Sequence, residues 1–582
     1  MHPTPDSAQP APAEPSVRGI VLDGSLILGL AVASVAWRLQ CAPWGDVFGD
    51  AYMALECAYH FVHGDLTIRP SQPIYGHGLC MAYAPLFLGA DNLWDVAVRR
   101  SVVGALVVPL WFCLARLSAV RLYGASAQVG RAAGLTLALA ALRNDTLAQM
   151  GNTGTLGYFA PPLILVLFLC WVRALTQRAP GALLVSFAMV PVILSNHPFT
   201  LWLIPASLLL LPAFARANGW LATGAACVAA GVTSMPRLSS LRRLTEGAPL
   251  SEGIRQIADP GSTPGDMWQR LQTGLSEPEN AILVAGVFVL ILAPWFAPRV
   301  GAGPETEAPP TGLAPPHRLL AVTALVSVVL VVAVGAAMNY LRIYHLLFMQ
   351  PLALLGLTLA VCALGAKLAR WLPLAPSLAR TLASTLLGIA LIAPVFARSA
   401  PLQPICKGGA SHIKEARGCS EVASAIAQDR PTGPLLVDNL TGPSGGPDSS
   451  VSVVLDLLVR GVDPTRFHGS QEDGERTWYW LVDRFEITDD RGQQVDFAAL
   501  AARVEGVDVL LELQDSGELV LAVRTEPARH AFAHELCAVL PSDLRLWGRT
   551  YYTWISQLLR PEGDDTQYPE PYAECLSERV QR

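Results

Sequence analysis

The residues best equipped for chemistry lie in one polar segment: Trp44-Gly-Asp-Val-Phe-Gly-Asp50-Ala-Tyr52-Met-Ala-Leu-Glu56-Cys-Ala-Tyr59-His60-Phe-Val-His63-Gly-Asp65. It follows the first long apolar run directly. A carboxylate beside hydrocarbon is costly unless it is solvated, paired or functional. An acid held there can take a proton from a hydroxyl, or share a divalent cation with a second acid. Residues Ala51–Val62 contain neither Pro nor Gly and read as a short helix. At about 100° per residue, Tyr52, Glu56, Tyr59 and His63 share a polar face, and Ala54, Cys57 and Phe61 an apolar one. Asp50 stands at the start of this helix, where it also suits the role of N-cap.

Further candidates lie elsewhere. Asp145, in Arg143-Asn-Asp-Thr146, is a second acid near the end of an apolar run, or else a plain polar turn. With Asp50 it could hold magnesium or manganese, which prefer oxygen ligands. His60, His63 and His77 offer a nitrogen-ligated alternative, with spacing that is not diagnostic. Asn339-Tyr-Leu-Arg342-Ile-Tyr344-His345 opens a late apolar run. Arginine and histidine at that depth can hold a lipid phosphate, or simply anchor a helix at the interface.

These residues need a scaffold, and the composition names its kind. The 582 residues are 52% hydrophobic and only 15% charged, against about 25% charged in ordinary soluble domains. Mean hydropathy is +0.39. The charge deficit is concentrated before residue 400, where apolar runs recur. A membrane helix needs about 20 apolar residues. By that measure spans fall at 19–39 and near 101–120, 132–149, 158–175, 181–196, 199–215, 219–235, 281–298, 319–338, 344–365 and 380–397, about eleven in all. The expected fold is therefore a polytopic α-helical membrane protein. A net charge of −6 argues against nucleic acid as a partner. Lysine is confined to Lys367, Lys407 and Lys414, a bias that suits a GC-rich bacterial genome.

With the N-terminus inside, Arg116, Arg121, Arg131, Arg173, Arg178, Arg216, Arg299, Arg318, Lys367, Arg370 and Arg380 all fall in cytoplasmic connections, as the positive-inside rule requires. Residues 1–18 form a disordered cytoplasmic tail, and 19–400 the membrane domain. Its long outer loops are at about 41–100 and 236–280. An odd number of spans leaves 401–582 outside, in a bacterial inner membrane. There charge rises and short strands appear, at 434–438, 507–512 and 518–524, the last two as a hairpin about Gln514-Asp-Ser-Gly517. With helices at 419–428 and 497–504 the region reads as a small α+β domain. Its four cysteines, Cys406, Cys419, Cys537 and Cys575, fit two disulfides in an oxidising compartment, Cys406–Cys419 and Cys537–Cys575 by nearest neighbours, or four free thiols.

The first loop resembles that of GT-C-type integral membrane glycosyltransferases, specifically the protein mannosyltransferase / aminoarabinose transferase-like group. The residues that carry the likeness are Asp50-Ala-Tyr52, Gly64-Asp65, Pro70 and Pro73, Ala84-Pro85-Leu-Phe-Leu-Gly89, and Val98-Arg99-Arg100. Leu341-Arg-Ile-Tyr-His-Leu-Leu-Phe-Met-Gln-Pro351 resembles the Arg-Tyr-Leu…Pro motif of the same group. The sequence departs from it at Ala51, where a second acid is usual, and at Ser71-Gln-Pro73. The resemblance implies a transferase that moves a sugar from a polyprenyl-phosphate donor to a hydroxyl of a glycan, lipid or protein at the outer face. Asp50 would be its general base. Arg342, His345, Tyr344, Arg99 and Arg100 would hold the donor phosphate, with Asp145, Glu56, Asp65 and Tyr52 as a second acid or acceptor contacts. A transporter or flippase for a lipid-linked or small polar substrate is the first rival; a non-catalytic envelope protein of the same fold is the second. Transporters place polar groups at mid-membrane on broken helices, whereas here they gather at one interface.

Overall fold

A computed structural model describes residues 17–40, 50–64, 77–144, 147, 159–247, 264–296, 316–337, 343–398, 415–429, 433, 435–440, 448–467, 477–483, 489, 491–513 and 518–539. Among these the chain is a polytopic helical membrane protein with a small C-terminal α/β region. Six helices are long and apolar enough to cross a membrane: Val17–Leu39, Leu93–Arg121, Ala160–Gln177, Arg318–Ala336, Leu347–Trp371 and Pro376–Ala397. Trp268–Leu275 and Asn280–Pro294 form a pair bent by 96°, and four shorter apolar helices occupy Ala127–Leu142, Pro180–Leu194, Leu203–Asn218 and Trp220–Met235. Every expected span thus has a helix.

Local chemistry sets the helix ends. Pro180, Pro264, Pro278, Pro316 and Pro376 each open a helix, at the position where the missing N–H costs nothing. Asn92 caps the second span by accepting from the Asp95 amide at 2.9 Å, and Ser126 caps the third through Val129. The helix Leu347–Trp371 lies at the centre of the bundle, 83% buried, whereas Val17–Leu39 is only 11% buried and lies at its edge. Polar ties hold that edge helix at both ends. Asp23 takes ion pairs from Arg116 and from Arg131, the latter at 2.7 Å. At the other end Arg38 Nη1 donates to the Leu147 carbonyl at 3.0 Å.

The helices Pro180–Leu194 and Leu203–Asn218 have 15 and 16 residues. They reach only about 22–24 Å at 1.5 Å per residue, short of a hydrocarbon core of about 30 Å. Their connection is accordingly sunk into the bundle, and Ser195, Asn196, His197, Phe199 and Thr200 are all buried. The segment 343–349 packs over it.

The C-terminal region holds a four-stranded sheet: β1 (Leu435–Leu440), β2 (Thr477–Asp483), β3 (Val507–Leu513) and β4 (Glu518–Val523), ordered β1-β2-β4-β3. β1 pairs parallel to β2, while β4 is antiparallel to both of its neighbours. The expected hairpin is β3–β4, with a register shift between Val509 and Leu511. Helices Ala416–Asp429 and Asp448–Val459 cover the sheet. The apolar core of this region continues into the first loop. Ala54, Leu55, Ala58, Tyr83, Leu86, Phe87, Leu93 and Phe159 belong to the same buried cluster as Leu455, Leu458 and Trp480. The first loop and the C-terminal domain therefore lie at the same end of the bundle.

Candidate active site

The first-loop helix spans Asp50–Val62, close to the reading from the sequence. Its faces differ from expectation. Glu56 and His60 are 5% and 8% exposed, and Ala54, Leu55, Cys57 and Ala58 are also buried. The helix is not a surface helix with one wet face, because the C-terminal domain covers the side that would otherwise meet water. Tyr59 OH donates to the Leu458 carbonyl at 3.2 Å, and its ring meets Phe87 edge-on at 6.1 Å. Burial pushes the Tyr59 phenol up from its usual range. His63, one residue past the helix, is exposed, with Nδ1 2.8 Å from the Tyr59 carbonyl. His60 and His63 are thus separated, one inside and one outside, and do not form a ligand pair. Among the described residues no three of His, Cys, Asp and Glu come together as a metal site.

The side chains of Asp50 and Tyr52, all of Asp65, Asp145 and Arg342, and the side chain of Tyr344 lie outside the described residues, as does the Asp50–Asp145 metal pair.

A disulfide, Cys57–Cys80, ties this helix to His77–Tyr83. Sequence reasoning weighed disulfides only among the C-terminal cysteines and missed it, although both thiols fall in the outer loop at about 41–100. The C-terminal pairing is corrected in turn. Cys419 is a free thiol with no exposed surface, and burial pushes its acidity well out of the usual thiol range; it is not joined to Cys406. Cys406, Cys575 and the side chain of Cys537 lie outside the described residues.

The paired arginines part company. Arg99, expected on a donor phosphate, holds a turn. It donates to the carbonyls of Leu86 at 2.9 Å, Leu88 at 2.6 Å and Gly89 at 2.6 Å. Those bonds occupy most of the guanidinium fork and fix the turn that leads into the second span. Arg100, one residue on, is buried, with 1% of its surface exposed.

At the sunken connection His345 is fully buried, with its ring stacked on Phe199 at 3.7 Å and 11°, and the His197 ring 5.2 Å away. Gln350 follows within the central span, its Oε1 accepting from Trp111 Nε1 at 2.7 Å. Two arginines that the sequence did not single out are buried at the same end. Arg38 is 3% exposed, and Arg143, 8% exposed, lies over Trp37 at 5.8 Å and Phe396 at 5.9 Å. The signal for both was present, since each is an arginine at the boundary of an apolar run on the side away from the positive-inside loops.

The junction with the C-terminal domain has a charged centre. Asp456, with no exposed surface, accepts from the Leu93 amide at 3.3 Å and from Arg460 Nε at 3.1 Å. Arg460 Nη2 in turn donates to Ser420 O at 3.0 Å and Oγ at 2.7 Å. Burial pushes the Asp456 carboxyl up to about 6, against the opposing pull of Arg460 and the Leu93 amide.

No protein-family model matches the chain, and no curated protein matches it. Among solved structures the chain is similar to ArnT from Cupriavidus metallidurans bound to undecaprenyl phosphate, at 14% identity and a TM-score of 0.45, over 87% of this chain and 98% of that one. It is also similar to the apo state of the same protein, at 13% identity and a TM-score of 0.36, over 86% of this chain and 97% of that one.

Proposed function

We propose that the chain is a membrane glycosyltransferase that moves a sugar from a polyprenyl-phosphate donor to an acceptor hydroxyl on the outer face of the membrane, with Asp50 as general base. The observation that carries the reading is the seating of the Asp50 helix. It begins at the family-like Asp50-Ala-Tyr52, is tied by a disulfide, and is enclosed between the bundle and the C-terminal domain. A disulfide there supports an oxidising, outer side for the first loop, and the shared core takes the C-terminal domain with it.

In this reading the acceptor oxygen attacks the anomeric carbon as Asp50 takes its proton, and the lipid phosphate departs with the bonding pair. General-base assistance contributes typically 10²–10⁴-fold. Developing charge on the phosphate calls for fixed cations, and Arg342, His345 and Arg100 are the residues assigned to it. Arg99 is withdrawn from that set by its three carbonyl bonds. A magnesium or manganese ion between Asp50 and Asp145 would supply further charge neutralisation.

The test is chemical. A strain lacking the protein should accumulate a polyprenyl-linked sugar. The wild-type gene should clear it, and Asp50→Asn, inserted and disulfide-bonded to the same extent, should not. Clearance by Asp50→Asn would remove the base assignment, and no accumulated lipid-linked sugar would remove the function.

A further inference from the structure

The helix Asp448–Val459 touches the first-loop region at two points two residues apart. Asp456 meets the first amide of the second span at Leu93, and the Leu458 carbonyl takes the Tyr59 hydroxyl. The first contact is an anion at a helix N-terminus, where the helix dipole favours it. The second is a single hydrogen bond from the last turn of the Asp50 helix. Apolar packing joins them, since Ala54, Leu55, Ala58 and Leu93 share a core with Leu455 and Leu458. Arg460 then ties the same helix to Ser420 on the neighbouring C-terminal helix. We propose that Asp456 and Leu458 form a clamp through which the C-terminal domain positions the Asp50 helix. The mechanistic meaning of the clamp rests on Asp50 being the base; its existence does not.

The groups facing Asp456 are Arg460, just past its own helix, Cys419 and Ser420 on the helix Ala416–Asp429, and the Leu93 amide. All but the Leu93 amide belong to the C-terminal domain, so Asp456 is held in place by its own domain and presents its carboxylate to the start of the second span.

The experiment is hydrogen–deuterium exchange on the full chain in phosphatidylethanolamine–phosphatidylglycerol vesicles at one pH. Asp456→Ala removes the acceptor at Leu93 and should quicken exchange across residues 93–105 severalfold. Tyr59→Phe deletes one oxygen and should quicken exchange in 50–64 by a similar factor, leaving 93–105 as in the wild type. Tyr59→Phe decides the matter even if Asp456→Ala fails to insert. An unchanged 50–64 segment in Tyr59→Phe, or an unchanged 93–105 segment in Asp456→Ala, would overturn the clamp. These readouts need no donor, so they stand or fall apart from the transferase reading. Where membranes of the deletion strain supply the accumulated lipid, Tyr59→Phe should lower kcat and leave KM for that lipid unchanged; a change confined to KM would overturn the positioning role.

Discussion

The packing of the two helices Pro278–Phe296 and Gln350–Leu368 rests on Gly286 and Gly356, and Gly286→Ala tests it. A Cβ at Gly286 would stand 2.5 Å from the Ala353 carbonyl oxygen and 2.8 Å from Leu357 Cγ, where ordinary contact begins at 3.4 Å. The nearest obstacle is backbone, so no rotamer change relieves it, and the helices must part by about 0.9 Å. Small residues at helix crossings are what allow backbones to approach in membranes, and a radial gap of 0.5–1 Å forfeits about a quarter to a half of each dispersion contact. Overpacking of this kind costs about 1–3 kcal/mol. The gain in helix propensity, up to about 1 kcal/mol for Gly to Ala, offsets part of it and leaves about 1–2 kcal/mol of loss. Gly224→Ala is the matched control, since nothing lies within 4 Å of its added methyl. Thermal unfolding of the full chain in detergent, followed by tryptophan fluorescence, should place Gly286→Ala below the wild type and Gly224→Ala at or above it. Equal melting of the two variants would refute the close-crossing argument.

Removing the first-loop disulfide with Cys57→Ser should cost about 3 kcal/mol, the usual worth of a bridge closing a loop of roughly this length, and should raise protease sensitivity within residues 50–83. Asp23→Asn leaves Arg116 and Arg131 without their shared carboxylate at the edge helix. The expected loss is about 1–3 kcal/mol after allowing for partial exposure, read as earlier release of residues 17–39 in exchange or proteolysis. In the C-terminal domain Arg524 holds the Asp429 carboxyl below its usual range, helped by the Tyr479 hydroxyl at 2.6 Å. A depressed carboxyl contributes stability above 3.8 that is lost as pH falls through the lowered value. Near-UV dichroism should therefore show acid unfolding of this domain below about pH 4, and Asp429→Asn should remove that dependence while lowering stability at neutral pH.

Apolar length made the spans legible one by one, because twenty apolar residues have few other uses. The hairpin at 507–523 was equally clear from its turn residues. What the sequence concealed was contact between distant parts. Glu56 and Tyr59 read as a wet face because nothing in residues 50–63 announces that Leu458 will lie against them. Arg99 read as a phosphate ligand by its place in a motif, and its three carbonyl partners are set by the path of the turn at 86–89. Cys57 and Cys80 lacked a diagnostic spacing, since their approach depends on two short helices packing side by side. The apolar runs flanking His197 were legible as spans, but the burial of their turn needed the segment 343–349 above it. His345 was legible as a candidate and its stacking on Phe199 was not.

The shared core of the first loop and the C-terminal domain also sets an order of events during synthesis. Leu93 must wait 363 residues for Asp456, and Tyr59 waits 399 for Leu458. At roughly 5–20 residues per second, the first loop spends about 20–70 s or more with its apolar side uncovered. During that interval the Cys57–Cys80 bridge is the one covalent restraint among the described residues that can keep the Asp50 helix folded back on its neighbour. The first-loop end of the bundle is thus completed only after residue 458 has emerged, and a product truncated before it would carry its spans without the cover over Tyr59 and Leu93.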